Sequence, residues 1–170
     1  MLILGIDPGT AVTGFGVVRG EGVGAATLVE CGVLRTSPRH GLPDRLCELF
    51  DGVTALLERH RPDAVAVESI FYARNVRTTI TLGHARGVLL LAAAKAALPI
   101  HEYPPAEIKK AITGTGAATK EQVQYMVKTL LRLKTVPSPN DAADGVAAAL
   151  TCLLTARTQA RIAGQLERAR

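Results

Sequence analysis

The sequence predicts an α/β fold with a mixed five-stranded sheet flanked by helices. Residues 2–7, 13–20 and 26–36 are β-rich and are joined by short glycine-containing connections, which is typical of an antiparallel meander. Two further apolar strands, 64–69 and 100–104, each follow a segment with helical periodicity. Because a helical crossover joins parallel strands, we expect the fourth strand to run parallel to the first, beside it.

The apolar spacing predicts five helices in addition to these strands. They are expected at residues 42–60, 77–97, 105–113, 120–133 and about 139–158. The length suits one domain with a real core, so we assign residues 1–158 to a single domain. Residues 159–170 then form a basic C-terminal tail that is prone to disorder.

The charge of the chain is concentrated in its middle third. The net charge is +5, yet residues 69–135 carry ten basic and three acidic side chains. This bias favours a surface that contacts phosphates, although a solvated lysine face stays open as an alternative. The anionic partner would then be a nucleic acid.

Cysteine use and the apolar segments indicate the compartment. Cys31, Cys47 and Cys152 are scattered and form no C-x-x-C pair, which suits a reducing cytosol and argues against a disulfide framework or a zinc site. No charged segment precedes the first apolar run, and the longest apolar stretch is too short to span a membrane. We therefore expect a cytoplasmic protein without membrane contact.

Four acidic residues are candidates for one site. Asp7 ends the first strand and Glu68 lies at the same end of the fourth, where open α/β sheets bind ligands. Asp141 and Asp144 are three residues apart and share one face of the last helix. Asp141 also has a structural alternative, as the third residue of a capping box begun by Ser138. Glu68 taken singly reads as a solvated strand end.

Gathered carboxylates without a lysine or arginine between them would repel one another strongly. Divalent cations would offset this repulsion, and a ligand set made only of oxygen atoms selects Mg²⁺ or Mn²⁺. Two such ions form the site that hydrolyses phosphodiesters in many nucleases. We therefore expect two Mg²⁺ ions, with Mn²⁺ as a substitute.

Ordered motifs along the chain resemble the RuvC family of Holliday junction resolvases. They are "GIDPGT" followed by "TGFG", "VES" followed by "FYARN", then "GHARG", "PAEIKKAITGTGAATKEQV" and "DAAD". The resemblance implies an RNase H-like fold, a homodimer and Mg²⁺-dependent paired symmetric nicking of four-way DNA junctions in recombination and repair. It also implies partnership with the RuvA–RuvB branch-migration complex.

The resemblance carries over to individual residues. Asp7, Glu68, Asp141 and Asp144 match the metal-binding carboxylates of the family, and Lys109 and Lys120 match its junction contacts. Phe71 matches a stacking aromatic, with a ring that anchors the loop as the alternative. Arg74 and Arg77 flank that loop and could hold backbone phosphates, although they also read as ordinary surface arginines.

The helix at 77–97 is apolar on more than one side. This pattern suggests that one side packs on the sheet and another on a second copy of the chain. The residues concerned are Ile80, Ala85, Val88, Leu89, Leu91 and Ala92.

Three other functions compete with junction cleavage. "GIDPGT" resembles the phosphate-binding opening of actin-like ATPases, but these need a second such domain, and 170 residues leave no room for one. A junction-binding protein without activity would not need all four carboxylates. An RNase H-like nuclease acting on RNA precursors is the remaining alternative, and the basic middle segment with Phe71 favours DNA junctions over it.

Overall fold

The computed structural model describes residues 1–21, 24–69 and 76–168. The order of the elements is the predicted βββαβαβααα. The elements are β1 (Leu2–Asp7), β2 (Val12–Glu21), β3 (Ala25–Arg35), α1 (Leu42–His60), β4 (Ala64–Glu68), α2 (Val76–Lys95), β5 (Ile100–Tyr103), α3 (Pro105–Thr113), α4 (Lys120–Leu130) and α5 (Asn140–Arg168).

The five strands form one mixed sheet in the order β3-β2-β1-β4-β5. β1 pairs antiparallel with β2, and β2 with β3, while β4 runs parallel to both β1 and β5. The register places Ile6 opposite Val67, so that Asp7 and Glu68 end their strands side by side. The predicted meander and the predicted parallel pairing of the first and fourth strands are confirmed.

The helices cover the two faces of the sheet as separate layers. Leu4 and Ile6 lie in the apolar cluster that includes residues of α1 and α2, whereas Ile3 lies in the cluster with α3, α4 and α5. Alternate residues of a strand point to opposite faces, so Asp7 belongs to the α5 side together with Ile3. The same alternation puts Glu68 on the side of Ala64 and Ala66.

Helix α5 lies unusually close to the backbone of β1 and β2. A methyl group added at Gly14 would lie 1.8 Å from the carbonyl oxygen of Asp141, and one at Gly5 would lie 2.1 Å from that of Gly145. On the helix side, a methyl group at Gly145 would lie 2.6 Å from Cα of Phe15. Only glycine leaves room for this approach, which sets the height of Asp141 and Asp144 above the sheet.

The two ends of α5 differ from the sequence prediction. The helix begins at Asn140, so Asp141 lies in its first turn and Ser138 is not the residue directly before the helix, which speaks against the capping box as the structural alternative for Asp141. The helix also continues to Arg168, ten residues past the expected end. Beyond Pro139 the chain has no proline and is rich in good helix formers, so nothing in the sequence stops it. The single-domain assignment of residues 1–158 stays a prediction.

Across the described ranges, none of the helices has both the length and the apolar character needed to cross a membrane.

The tight spacing of α5 predicts a large cost for a methyl group at Gly14. We expect Gly14→Ala to lower the free energy of unfolding by about 1–3 kcal/mol or more, because backbone atoms must move apart. Gly164→Ala is the matched control, since a methyl group there meets nothing within 4 Å and should stabilise the same helix by up to about 1 kcal/mol. Denaturant unfolding measures both, and equal effects would contradict the close approach.

Candidate active site

Three carboxylates converge where β1 ends beneath the first turns of α5. Oxygen atoms of Asp7, Asp141 and Asp144 all lie within 4.8 Å of one another. The strand alternation points Asp7 toward α5, and Gly14 lets the helix carry Asp141 down to it. Asp144 follows on the same side of the helix. The predicted convergence of these three residues is therefore present in the fold.

Glu68 completes the acidic group from the neighbouring strand. Together with Asp7 and Asp144 it lines a cleft of about 230 Å³. The walls of the cleft combine apolar and basic side chains from the three helices of this layer. They are Pro105, Ile108, Lys109, Lys120, Val123 and Ala147.

The turn that follows Asp7 is braced by side-chain hydrogen bonds. The hydroxyl of the fully buried Thr13 donates to the carbonyl oxygen of Gly9 at 2.6 Å and accepts from its N–H at 3.2 Å. Thr36 donates to the carbonyl oxygen of Thr10 at 2.6 Å. These bonds fix the chain directly beyond Asp7. The sequence analysis missed this role of Thr13, although a threonine in an apolar strand just after a glycine turn is a usable signal.

Burial and mutual repulsion weaken the acidity of the group. Removal from water, followed by the charges of Glu68 and the two α5 aspartates, raises the pKa of Asp7 to about 8. Burial and then the charge of Asp144 raise the pKa of Glu68 to about 7. Burial also raises the pKa of Asp144. Without a compensating positive charge, the site therefore favours holding protons at neutral pH.

One positive charge does lie in the group. Nζ of Lys120 donates to Oδ2 of Asp144 at 2.6 Å, and this hydrogen bond raises the pKa of the lysine. Lys120 is the first residue of α4, as predicted, and the helix is capped by Thr119 and Gln122 in a capping box. The sequence analysis assigned Lys120 to a DNA contact and did not predict its ion pair with Asp144.

The donor set suits a hard divalent cation. Its ligand atoms are carboxylate oxygens, they are closely grouped and partly buried, and their charges exceed that of the one paired lysine. The pKa values of Asp7 and Glu68 are raised because the protein supplies too little positive charge to offset the negative charges of these carboxylates. The residues present thus fit a metal centre of the Mg²⁺ type.

Comparison with known proteins decides the family. The family model described as "Crossover junction endodeoxyribonuclease RuvC" matches residues 3–152. The chain belongs to the RuvC family. This family consists of DNA nucleases by its description, which favours junction cleavage over the actin-like and RNA-processing alternatives.

Curated relatives support the same family over most of the chain. A crossover junction endodeoxyribonuclease RuvC of Pelotomaculum thermopropionicum is 51% identical over 150 residues, covering 88% of this chain and 91% of the relative. A RuvC protein of Chloroflexus aggregans is 48% identical and covers 95% of this chain and 98% of its own length.

Solved structures agree with the fold. Thermus thermophilus RuvC in complex with a Holliday junction substrate has a TM-score of 0.89 at 40% identity, covering 94% of this chain and 96% of its own. The yeast mitochondrial Holliday junction resolvase Ydc2 has a TM-score of 0.67 at 14% identity, covering 89% and 77%, which supports the fold alone. The RNase H-like fold with a mixed five-stranded sheet is thereby confirmed.

The predicted basic and aromatic residues do not all lie in the cleft with the carboxylates. Lys109 on α3 lines the cleft, and its charge lowers the pKa of Glu68. Arg77 lies in the first turn of α2 and lines a separate hollow with Thr10, beside the turn that follows Asp7. Phe71 and Arg74 lie outside the described residues.

The raised pKa of Asp7 predicts how metal-free stability depends on pH. The folded protein holds a proton on Asp7 that the unfolded chain releases above its ordinary pKa of 3.8, so the free energy of unfolding falls as pH rises from about 4 to about 8. In EDTA we expect the melting temperature to fall by about 3–5 °C per pH unit over much of this range.

Variants isolate the contribution of Asp7 to this pH dependence. Asp7→Asn should make the slope between pH 5 and 8 shallower without removing it, because the raised pKa of Glu68, about 7, still contributes. The exposed Asp51→Asn on α1 should keep the slope of the parent. Thermal unfolding at several pH values measures both. A parent slope that persists in Asp7→Asn would assign the dependence to other groups.

Proposed function

We propose that this protein is a structure-selective endonuclease that resolves four-way DNA junctions by paired symmetric nicks, in recombination and DNA repair. The observation that carries the proposal is the carboxylate group Asp7, Asp141 and Asp144 in a RuvC-family fold, with Glu68 beside Asp7 and Asp144 in one cleft. A group of this kind has no structural use that would offset its repulsion. Its value lies in holding cations against a phosphodiester.

We propose Asp7, Glu68, Asp141 and Asp144 as the metal-binding and catalytic residues, with two Mg²⁺ ions per subunit and Mn²⁺ as a substitute. When bound, the ions supply positive charge that stabilises the transition state of phosphodiester hydrolysis and lowers the pKa of an attacking water. The rigid end of β1 and the close-packed α5 hold the ligands in place, so little reorganisation is needed when the substrate arrives.

Basic residues around the cleft are proposed to hold the DNA backbone. Lys109 and Lys120 enter the cleft from α3 and α4, and Arg77 lies beside the turn after Asp7 on the opposite layer of helices. Arg74 and Phe71 are assigned by their family resemblance, Arg74 to a phosphate and Phe71 to stacking on an unpaired base at the branch point. Stacking of this kind would favour a junction over linear duplex, where no base is exposed.

The exposed side of α2 supports a homodimer. Ala85, Leu89 and Ala92 are buried, and Leu89 and Ala92 lie in the apolar cluster that contains strand residues, as the sequence predicted for one side of this helix. On the outer side, Ile80 is 56% exposed and Leu91 53% exposed. Gly83 and Gly87 lie between them on the same stripe with open space above, so a second helix could approach closely. A two-fold dimer would present two sites to a nearly two-fold junction.

The resemblance to the RuvC family is also the basis for the proposed location and protein partner. We propose the cytoplasm as its location and the RuvA–RuvB complex as its partner on the junction. The basic bias of residues 69–135 is compatible with a substrate of DNA.

Removal of single carboxylates tests the proposed chemistry. We expect Asp7→Asn, Glu68→Gln, Asp141→Asn and Asp144→Asn each to slow cleavage of a labelled four-way junction in Mg²⁺ by about 100-fold or more, with junction binding nearly unchanged. Linear duplex and an RNA-containing duplex serve as substrates for comparison. Near-normal nicking by one variant would remove that residue from the site, and preferred cutting of RNA would contradict the proposed substrate.

Charge substitution on α2 tests the dimer. Ile80→Glu combined with Leu91→Glu should convert the protein to a monomer in analytical ultracentrifugation, because burying carboxylates between two helices is costly. Tyr125→Glu is the control, since Tyr125 is 64% exposed on α4 in the other layer and should leave the dimer intact. A double variant that stays dimeric would place the interface elsewhere.

A further inference from the structure

The ammonium group of Lys120 is hydrogen-bonded to one carboxylate of the proposed metal site. Its Nζ is 2.6 Å from Oδ2 of Asp144, a distance typical of a strong charge-assisted hydrogen bond. Asp144 is one of the three residues whose oxygen atoms lie within 4.8 Å of one another. The ammonium group of Lys120 is thus hydrogen-bonded to an oxygen of one of the carboxylates that are proposed to hold the ions.

The backbone at Lys120 is fixed by the start of α4, whereas its side chain is partly exposed to solvent. The capping box of Thr119 and Gln122 fixes the start of α4, and the buried Val123 and Val127 anchor the helix to the core. The side chain of Lys120 itself is 47% exposed, against 22% for Asp144. Its flexible stem can therefore carry the charge away from Asp144 without any change in the helix.

We propose that Lys120 is a displaceable internal cation, which neutralises Asp144 in the metal-free protein and must leave it when a divalent ion binds. The inference rests on the proposed function, because it concerns the same carboxylates and the same ions. It assigns Lys120 a positioning role in metal loading in addition to a contact with DNA.

Two consequences follow from the exchange. The lysine competes with the metal for Asp144, so the protein binds the ion more weakly than its carboxylates alone would allow. Displacement also frees the ammonium group for another anion at the mouth of the cleft, and a DNA phosphate is the natural recipient. Metal and DNA then favour each other through one side chain, since binding of either removes a cost to the other.

Lys109 provides the internal comparison. It lines the same cleft and lowers the pKa of Glu68 through its charge. Among the described residues the ion pairs include Lys120 with Asp144 but none made by Lys109. A change at Lys109 removes one positive charge from the cleft without releasing a carboxylate oxygen.

The experiment measures Mn²⁺ affinity in the absence of DNA. Metal-free protein is titrated with Mn²⁺, and the free ion is followed by electron paramagnetic resonance. We expect Lys120→Met and Lys120→Gln to bind the first ion about three- to tenfold more tightly than the parent. Lys120→Arg should remain close to the parent, because it restores a cation beside Asp144. For Lys109→Met, the increase in the logarithm of the Mn²⁺ affinity should be less than about half of the increase for Lys120→Met.

Controls separate failure of this inference from failure of the proposed function. Asp7→Asn should lose most of the affinity, and Lys95→Met at the far end of α2 should match the parent. If Lys120→Met binds Mn²⁺ no more tightly than the parent, or gains only as much as Lys109→Met, the displacement is wrong while the metal site stands. If the parent and Asp7→Asn bind equally weakly, the proposed metal centre itself fails.

Discussion

The close contact of α5 with the backbone of β1 and β2 is the constraint on which the site depends. Glycines on both surfaces, Gly5 and Gly14 in the strands and Gly145 in the helix, let main-chain atoms meet where side chains would normally separate them. The first turns of the helix are thereby lowered onto the end of β1. A helix held at the usual distance from the sheet by larger side chains would carry its two aspartates away from Asp7, and the three carboxylates would remain separate surface charges.

The same contact brings buried carboxylates close together, and the rest of the fold must offset their desolvation and mutual repulsion. Removal from water and mutual repulsion raise the pKa of Asp7 to about 8 and that of Glu68 to about 7. The apolar clusters on both faces of the sheet and the braced turn at Thr13 hold this arrangement together against the repulsion. Lys120 offsets part of it at Asp144. The carboxylates are therefore already positioned to bind a cation in the metal-free fold. Catalysis by electrostatic stabilisation requires this kind of preorganisation.

Sequence reasoning predicted the sheet, its order of elements and the meeting of β1 with β4, because apolar runs and crossover rules are local or nearly so. It also placed the four acids by strand end and helix face, and the structure brings Asp7, Asp141 and Asp144 together, with Glu68 in the adjoining cleft. It could not predict the ion pair of Lys120 with Asp144, since 24 residues separate them and only the packing of α4 against α5 brings them together. The start of α5 at Asn140 agrees with the expected start at about residue 139, whereas its end at Arg168 lies ten residues beyond the expected end.

The two layers of helices carry different proposed surfaces, the cleft on one side of the sheet and the dimer contact on the other. The α3–α5 layer supplies both aspartates of α5 and the two lysines of the cleft, while the α1–α2 layer leaves the apolar outer side of α2 uncovered. The sheet separates the two, so a partner bound on α2 would leave the cleft open. At the carboxyl end of the strands, Arg77 lies beside the turn after Asp7 on one side of the sheet, and Lys120 donates to Asp144 on the other. A DNA strand crossing that end would pass the carboxylates with a basic residue on each flank.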